Sequence, residues 1–522
     1  MEPQTTKTSY GMCNIDRNDH KRDSSGKKSS NKTVKKSNSA ICSLQDLYSL
    51  VLNPLFRVTG KIDNRIRNVI ISLCCVFLTG FFIAYYDTST RETLYLQHGH
   101  NNFICSVVLV VLIIFSIKAP LKRVRWDNML FWLFFSAGLG LVIISFIHPI
   151  GEGYRSFGFM MMFLFPCLYY VWNNRGDYNI LYIRLAGATS AVGLAFYLKI
   201  MMLALSGELA VQGFRVKATF YNANLVSMVG MVMVCSAVYM FFVKRTSRRW
   251  FVFAALTFGA GWGIMRMGVS RVSMLVGFGS VFAGCVFWLK DRKTLVYAEN
   301  WRIQFIRIGC IVIVTILFMF NGEILLNVNT AMQFRQNNEV SAEQGSLNDT
   351  EDEETTMELP EEATQHNVVS SSDRFSTKGK NLNIYTAGRI NIWKSYAAHL
   401  NLLGNDFDTI DFSVMTGTGV KHAHNNFLEY AFRCGIPVAL IHILLELYAG
   451  IVCIGFLFNK RYSDPKYLFA VIFMVCYTLE SLFDIATVPF ERHAPFYFYM
   501  IMIPVFGRVN DNCRSLKSES SE

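Results

Sequence analysis

The stretch HAHNNFLEYAFRCGIPVALIHILLELYAGIVCIGFLF, residues 422–458, decides the fold. Its second part, from 435 to 458, is an apolar run whose only acid is Glu446. Such a run is long enough to cross a hydrocarbon core that needs ~20 residues. The first part places His422, His424, Asn425 and Asn426 where the chain enters that run. A simple anchor would carry Trp, Tyr or Lys at such a boundary. What the imidazoles do there depends on which side of the membrane they face and on what faces the same way.

The rest of the chain is built like residues 435–458. Of 522 residues, 52% are hydrophobic and only 17% are charged, whereas soluble chains carry about a quarter charged residues. The charges sit in short clusters between long apolar runs. Spans are expected near 68–86, 103–117, 128–147, 156–172, 183–204, 225–243, 250–265, 272–289, 303–320, 435–458, 467–483 and 494–507. The expectation is an all-α polytopic bundle of about twelve transmembrane helices.

Around those spans the organisation reads simply. Residues 1–67 form a basic tail, disordered through SSGKKSSNKTVKKSNS and then interfacial over 44–56. The first nine spans occupy 68–320, a single large loop runs from 321 to 424, the last spans fill 425–508, and 509–522 is a short tail. The 13 cysteines are scattered singly, without disulfide or zinc spacing. The net charge of +12 follows the loops and not a nucleic-acid footprint.

Basic clusters fix the expected sidedness. Lys118, Lys122, Arg123 and Arg125 fall in the second loop and Lys244, Arg245, Arg248 and Arg249 in the sixth. Lys290, Arg292 and Lys293 fall in the eighth, and Lys460, Arg461 and Lys466 in the tenth. The positive-inside rule makes these loops and both termini cytoplasmic. Arg215, Arg271, Arg389 and His424 then face outward, opposite to where positive charge is normally kept.

A reason for misplaced arginines lies in their chemistry. Guanidinium is always charged and presents a fork of donors matched to phosphate oxygens. Histidine, with a pKa near 6.5, accepts a proton from a hydroxyl at neutral pH. Together they suit transfer of a glycan from a lipid pyrophosphate to a hydroxyl, with no metal required.

Four motifs in order, RVKATFYNAN (215–224), GVSRVSM (268–274), AGRINIWKSYAAHL (387–400) and GTGVKHAHNNFLEYAFRCGIP (417–437), resemble the O-antigen ligase and O-antigen polymerase superfamily of bacterial inner-membrane proteins. The resemblance covers about 200–440 and is most specific in its last two motifs. It implies a GT-C-like fold, a large periplasmic loop and an undecaprenyl-pyrophosphate glycan donor. It further implies His424 as catalytic base, Arg271 and Arg389 as the pyrophosphate-binding pair, and Arg215 as a further donor contact. His422, Asn425, Asn224 and Trp393 take supporting places, and no cofactor or metal is implied. Two departures stand out: Asn222-Ala223-Asn224 lacks the proline often found between the asparagines, and the loop carries an insertion from about 337 to 376.

Plainer readings exist for each residue. His424 can be a capping histidine, Arg271 a snorkelling side chain, Asn425 the cap of a helix starting at Asn426, and His422 simply solvent-exposed. The acidic run DTEDEETTMELPEE (349–362) reads as a disordered segment. Asp406, Asp408 and Asp411 are an acidic group of the kind metal-dependent enzymes use. Ligation to lipid A–core is the favoured reaction, with repeat-unit polymerisation and protein O-oligosaccharyl transfer sharing its chemistry. A lipid-linked glycan transporter is the alternative from another class, and it would need charge along mid-membrane helix faces. Only Glu446 and Glu480 offer it.

Overall fold

The computed structural model describes residues 39–87, 98–150, 153–212, 215–220, 222–243, 247–290, 301–347, 389–417, 420–484, 489 and 492–507. The basic tail before Ser39, the acidic run and Gly388 lie outside the described residues. Among the described residues the chain is helical, with one short antiparallel hairpin pairing Val211–Gln212 with Arg215–Val216.

In chain order the helices are α1 (Ser39–Thr59), α2 (Asn64–Tyr86), α3 (His98–Ser116), α4 (Asn128–Ile147), α5 (Tyr154–Phe159), α6 (Phe165–Arg175), α7 (Asn179–Ser206), α8 (Ala223–Val243) and α9 (Arg248–Gly268). They continue as α10 (Arg271–Lys290), α11 (Trp301–Leu347), α12 (Arg389–Ala398), α13 (Phe412–Thr416), α14 (Asn426–Cys434), α15 (Ile436–Phe458), α16 (Pro465–Phe483) and α17 (His493–Phe506). Among the described residues nine helices are long and apolar enough to cross a membrane. This is a multi-pass helical membrane protein.

Each stretch expected as a span coincides with helix, but not all are uninterrupted or full length. The apolar parts of α3 and α17 are short (Asn102–Ser116 and His493–Phe506). Between α5 and α6 the chain loosens into a π-turn, Met160–Leu164. Pro166 explains it: a proline has no N–H to give to the preceding turn and crowds its carbonyl, so the helix widens just before it.

Two helices form the centre. α8 is 83% buried over its apolar window, and small residues let its neighbours close in. A Cβ on Gly230 would overlap Gly261 O of α9, and one on Gly261 would meet Gly230 O at 2.7 Å. Such close approach of small residues is how helices associate in lipid, where apolar burial between helices gains little. α17 is buried along its whole length. α11 is peripheral, only 11% buried over its apolar part, and it runs on to Leu347, so the segment expected as a loop from 321 begins as helix.

Loops assigned to the same side meet at one end of the bundle. Arg123 pairs with Asp46 of α1, Lys118 Nζ lies 2.6 Å from Asp177, and Lys290 Nζ donates to Phe456 O at 2.7 Å and Tyr462 O at 2.9 Å. α1 lies across this end, Gln45 exchanging hydrogen bonds with the Val124 backbone.

At the opposite end α12, α13 and α14 form a small body with its own core of Ile392, Tyr396, Phe412, Ala423 and Phe432. It is tied to the loop after α4: Phe407 N donates to Pro149 O at 3.0 Å and His148 Nε2 to Leu403 O at 2.8 Å. Gly404 and Gly435, with φ +80° and +86°, face each other so closely that a Cβ on either would overlap the other's strand of backbone.

Candidate functional site

Three of the four motifs start a helix. Arg271 opens α10, Arg389 opens α12, and His424 precedes Asn425, the cap of α14. A helix N-terminus leaves backbone N–H groups unpaired and carries partial positive charge. Placing arginine there works against helix stability and in favour of an anion.

Two of these starts, those of α12 and α14, are drawn together by one carboxylate outside the motifs. Asp484, which follows α16, holds Oδ1 3.5 Å from His424 Nδ1 and 3.2 Å from Arg492 Nη1. Arg389 donates Nη1 to Phe483 O, the carbonyl just before Asp484. It lies close enough to both Asp484 and Arg271 for their charges to interact. Burial alone would raise the Asp484 carboxyl, but Arg492, His424 and Arg389 hold it well below the usual carboxylate range. Burial pushes the Arg389 guanidinium down, with Asp484 opposing and Arg271 adding to the shift.

Asn425 does the work of a cap and more. Its Oδ1 accepts from Leu428 N and its Nδ2 donates to Leu482 O, both at 3.0 Å. The second bond fastens the histidine loop to the end of α16, beside Asp484. Asn426 reinforces it from below through Tyr477 Oη at 3.2 Å and Ser481 Oγ at 3.3 Å.

Backbone strain marks the same places. Among the described residues the non-glycine residues with positive φ are Ala218, Val269 and His424, at +50°, +49° and +49°. One follows Arg215, one precedes Ser270-Arg271, and one is the histidine itself. Left-handed backbone is unfavourable for a side chain with a Cβ, most of all a β-branched one, and it concentrates at functional sites.

Arg215 sits on the hairpin with Nε donating to Gly268 O at 2.8 Å and Nη2 to Asn224. The structure thus joins Arg215 and Asn224, and fixes both to the end of α9 next to Arg271. Much of the Arg215 fork is engaged in that junction. His422 is half exposed and turns elsewhere, its Nδ1 3.5 Å from Glu429 Oε1 and from Arg433 Nη2. Trp393 is half-buried on α12, and its Nε1 is buried with no hydrogen-bond partner. Asp406 and Asp411 are spent as caps, accepting from Asp408 N at 3.1 Å and from Ser413 N at 2.9 Å.

Asp484 and Arg492 were not singled out from sequence, although a signal existed for one of them. Arg492 is another positive residue in a loop expected to face outward, and the rule that selects Arg271 selects it too. Asp484 carries no such mark; its role is visible only once α16 brings it to His424. Glu429 and Arg433, equally missed, form a buried pair at 2.5 Å that anchors α14, with Arg433 Nη1 donating to Ile150 O at 3.0 Å.

No family model, curated protein or solved structure matches this chain.

Proposed function

We propose that the protein transfers a glycan from a polyprenyl-pyrophosphate carrier to an acceptor hydroxyl at the outer membrane surface of the bundle, as the O-antigen ligases it resembles do. The observation that carries this reading is that Arg389 and His424, at two helix starts, meet around Asp484, with Arg271 at a third helix start close enough to act on Arg389. Two arginines whose charges act on each other at helix N-termini fit a dianionic or polyanionic ligand better than empty space.

In this reading Arg271 and Arg389 take the pyrophosphate, whose negative charge grows as the glycosidic C–O bond breaks. His424 accepts the proton of the acceptor hydroxyl as its oxygen bonds to the anomeric carbon. Asp484 orients the imidazole through Nδ1, and Arg215 shapes the floor beside Arg271. Undecaprenyl pyrophosphate leaves with the electron pair, and His424 returns its proton to solvent. Lipid A–core is the favoured acceptor; a growing glycan or a protein hydroxyl would use the same groups.

The reading brings a topology with it. All twelve stretches cross the bacterial inner membrane in a GT-C-like arrangement, with both termini cytoplasmic and the site periplasmic. The transporter alternative gains little. Glu480 lies three residues from the end of α16 and 3.7 Å from Arg492, so it belongs to the site end, leaving Glu446 alone at mid-depth.

The test is reconstitution. Purified protein is given an undecaprenyl-pyrophosphate glycan and a lipid A–core acceptor, and product is measured alongside His424→Ala and Arg389→Ala. A reporter fused after residue 348 should be active only outside the cytoplasm. Transfer undiminished in both variants, or a cytoplasmic reporter at 348, overturns the reading.

A further inference from the structure

We propose that a groove between α2, α7 and α9, at the basic end of the bundle, binds one anionic phospholipid, with its phosphate on Arg184 and its chain along the small residues of α7. The proposal concerns the leaflet opposite the candidate site and does not depend on the glycan-transfer reading.

The groove has a volume of about 780 Å³, within the ~300–1,000 Å³ of ordinary ligand clefts. It is polar at one end and apolar along its length. Arg184, Lys118 and Ser72 line the polar end, while Gly187, Ala191 and Trp250 line the wall. That gradient matches a lipid and not a soluble solute, which would need polar partners throughout. Gly187 lacks the Cβ that would sit 3.7 Å from the Trp250 ring, and Ala191 is exposed, so α7 is thin where a chain would lie.

The charge at the polar end is one-sided. Arg184 uses Nη1 on Asn68 O at 2.8 Å and on Ser72 Oγ, which fixes the guanidinium at the mouth. Its Nε is buried without a hydrogen-bond partner. Arg175 is near enough to act on Arg184, and its own partner, Asp177, is shared with Lys118. Arg248 and Arg249, both exposed, precede Trp250 on α9. Among the described residues Asp177 is the acid paired with Arg175 and Lys118; Asp63, just before α2, is turned to the backbone N–H of Arg65 at 2.6 Å. An arginine paired with no acid, beside two cations that share one, is a seat for an anionic headgroup, as in basic pockets between transmembrane helices. Trp250 stands where an indole normally marks the headgroup level.

Full-length protein in detergent is stripped of lipid and offered phosphatidylglycerol, phosphatidylcholine or inorganic phosphate, and bound species are counted by native mass spectrometry. The unmodified protein should retain one phosphatidylglycerol in preference to phosphatidylcholine, by about five-fold for each cation engaged. Arg184→Gln should lose most of that preference, keeping at most the part due to Lys118. Because Arg184 also ties α7 to α2, Ala191→Phe serves as the second variant: it leaves those bonds in place, fills the groove, and should lose the retained lipid while unfolding at the parental temperature. Equal retention of the two lipids by the unmodified protein overturns the proposal, as does parental retention by Ala191→Phe. Full displacement of phosphatidylglycerol by millimolar inorganic phosphate would make this a free-anion site and overturn the lipid assignment.

Discussion

Asp484 Oδ1 stands between His424 Nδ1, at 3.5 Å, and Arg492 Nη1, at 3.2 Å. One carboxylate at the end of α16 thus fixes a histidine from the loop before α14 and an arginine from the loop before α17. His424 is in left-handed backbone.

Asp484→Asn tests that dependence. The amide keeps the shape but removes the charge that both neighbours share, so His424 and Arg492 lose their common reference. Transfer should fall by ~10²-fold, the usual penalty for a reacting group displaced by about an ångström. Expression and the thermal unfolding temperature should change little. Turnover within twofold of the parent would show that Asp484 serves folding and not the site.

Arg389 has a fixed anchor, the Phe483 carbonyl. Arg389→Ala should weaken binding of a radiolabelled lipid-pyrophosphate donor and slow turnover together. Arg389→Lys should restore only part of either, because an ammonium cannot hold the carbonyl and a phosphate oxygen in one plane. Full recovery by lysine would mean that the site needs only a point charge there.

Much of this end of the molecule was legible from sequence, and the physical reason is sidedness. Apolar run length gives the spans, basic loops give the side, and arginines that violate the pattern stand out. Arg271, Arg389 and His424 were found this way, and the structure brings them together. Asp484 was not legible because an acid at a helix end is ordinary in sequence; only packing of α16 against the histidine loop gives it a role. The Glu429–Arg433 pair was hidden for a related reason. Spaced four apart on a short helix, it reads as a surface pair, yet it is buried because the loop after α4 covers it. The helical start of the large loop was missed because apolar length predicts where lipid ends and not where a helix ends.

That buried pair carries the small body of α12, α13 and α14. Glu429 is fully buried, and Arg433 also stacks 3.6 Å above the centre of the Phe407 ring. Burial would raise the Glu429 carboxyl, but Arg433, His422 and the Ala423 N–H hold it below the ordinary carboxylate range. Arg433→Met leaves that carboxylate without its cation and should destabilise the segment by ~3–5 kcal/mol. Glu429→Gln strands the buried Arg433 charge instead, but that guanidinium keeps the Ile150 carbonyl and the Phe407 ring, so the cost should be smaller. The folded pKa is depressed, so the stabilisation is complete above the unfolded value of ~4.3 and is lost as pH falls through the lower folded value. Hydrogen exchange over 401–436 should therefore be flat from pH 7 to 5 after correction for intrinsic rates and rise below about 4. Protection unchanged in Arg433→Met would show that the pair is not what holds the loop.

The two histidines separate the candidate base from its neighbour. His424 is partly exposed, with its Nδ1 toward Asp484, which leaves Nε2 to meet an acceptor hydroxyl; His422 turns to Glu429 and Arg433. His424→Ala should leave expression and donor binding intact and reduce transfer by ~10²–10⁴-fold, the range for loss of a general base. His422→Ala removes only a solvent-facing ring beside an ion pair that survives without it, and should stay within a few-fold of the parent. His424→Gly distinguishes chemistry from backbone, because glycine relieves the left-handed strain at φ +49° yet supplies no base. It should fold at least as well as the alanine variant and be equally inactive. Donor, acceptor and each variant are combined under identical conditions, and product is followed by gel shift of the acceptor. Near-parental transfer by His424→Gly would mean that residue 424 shapes the loop and that the proton goes elsewhere.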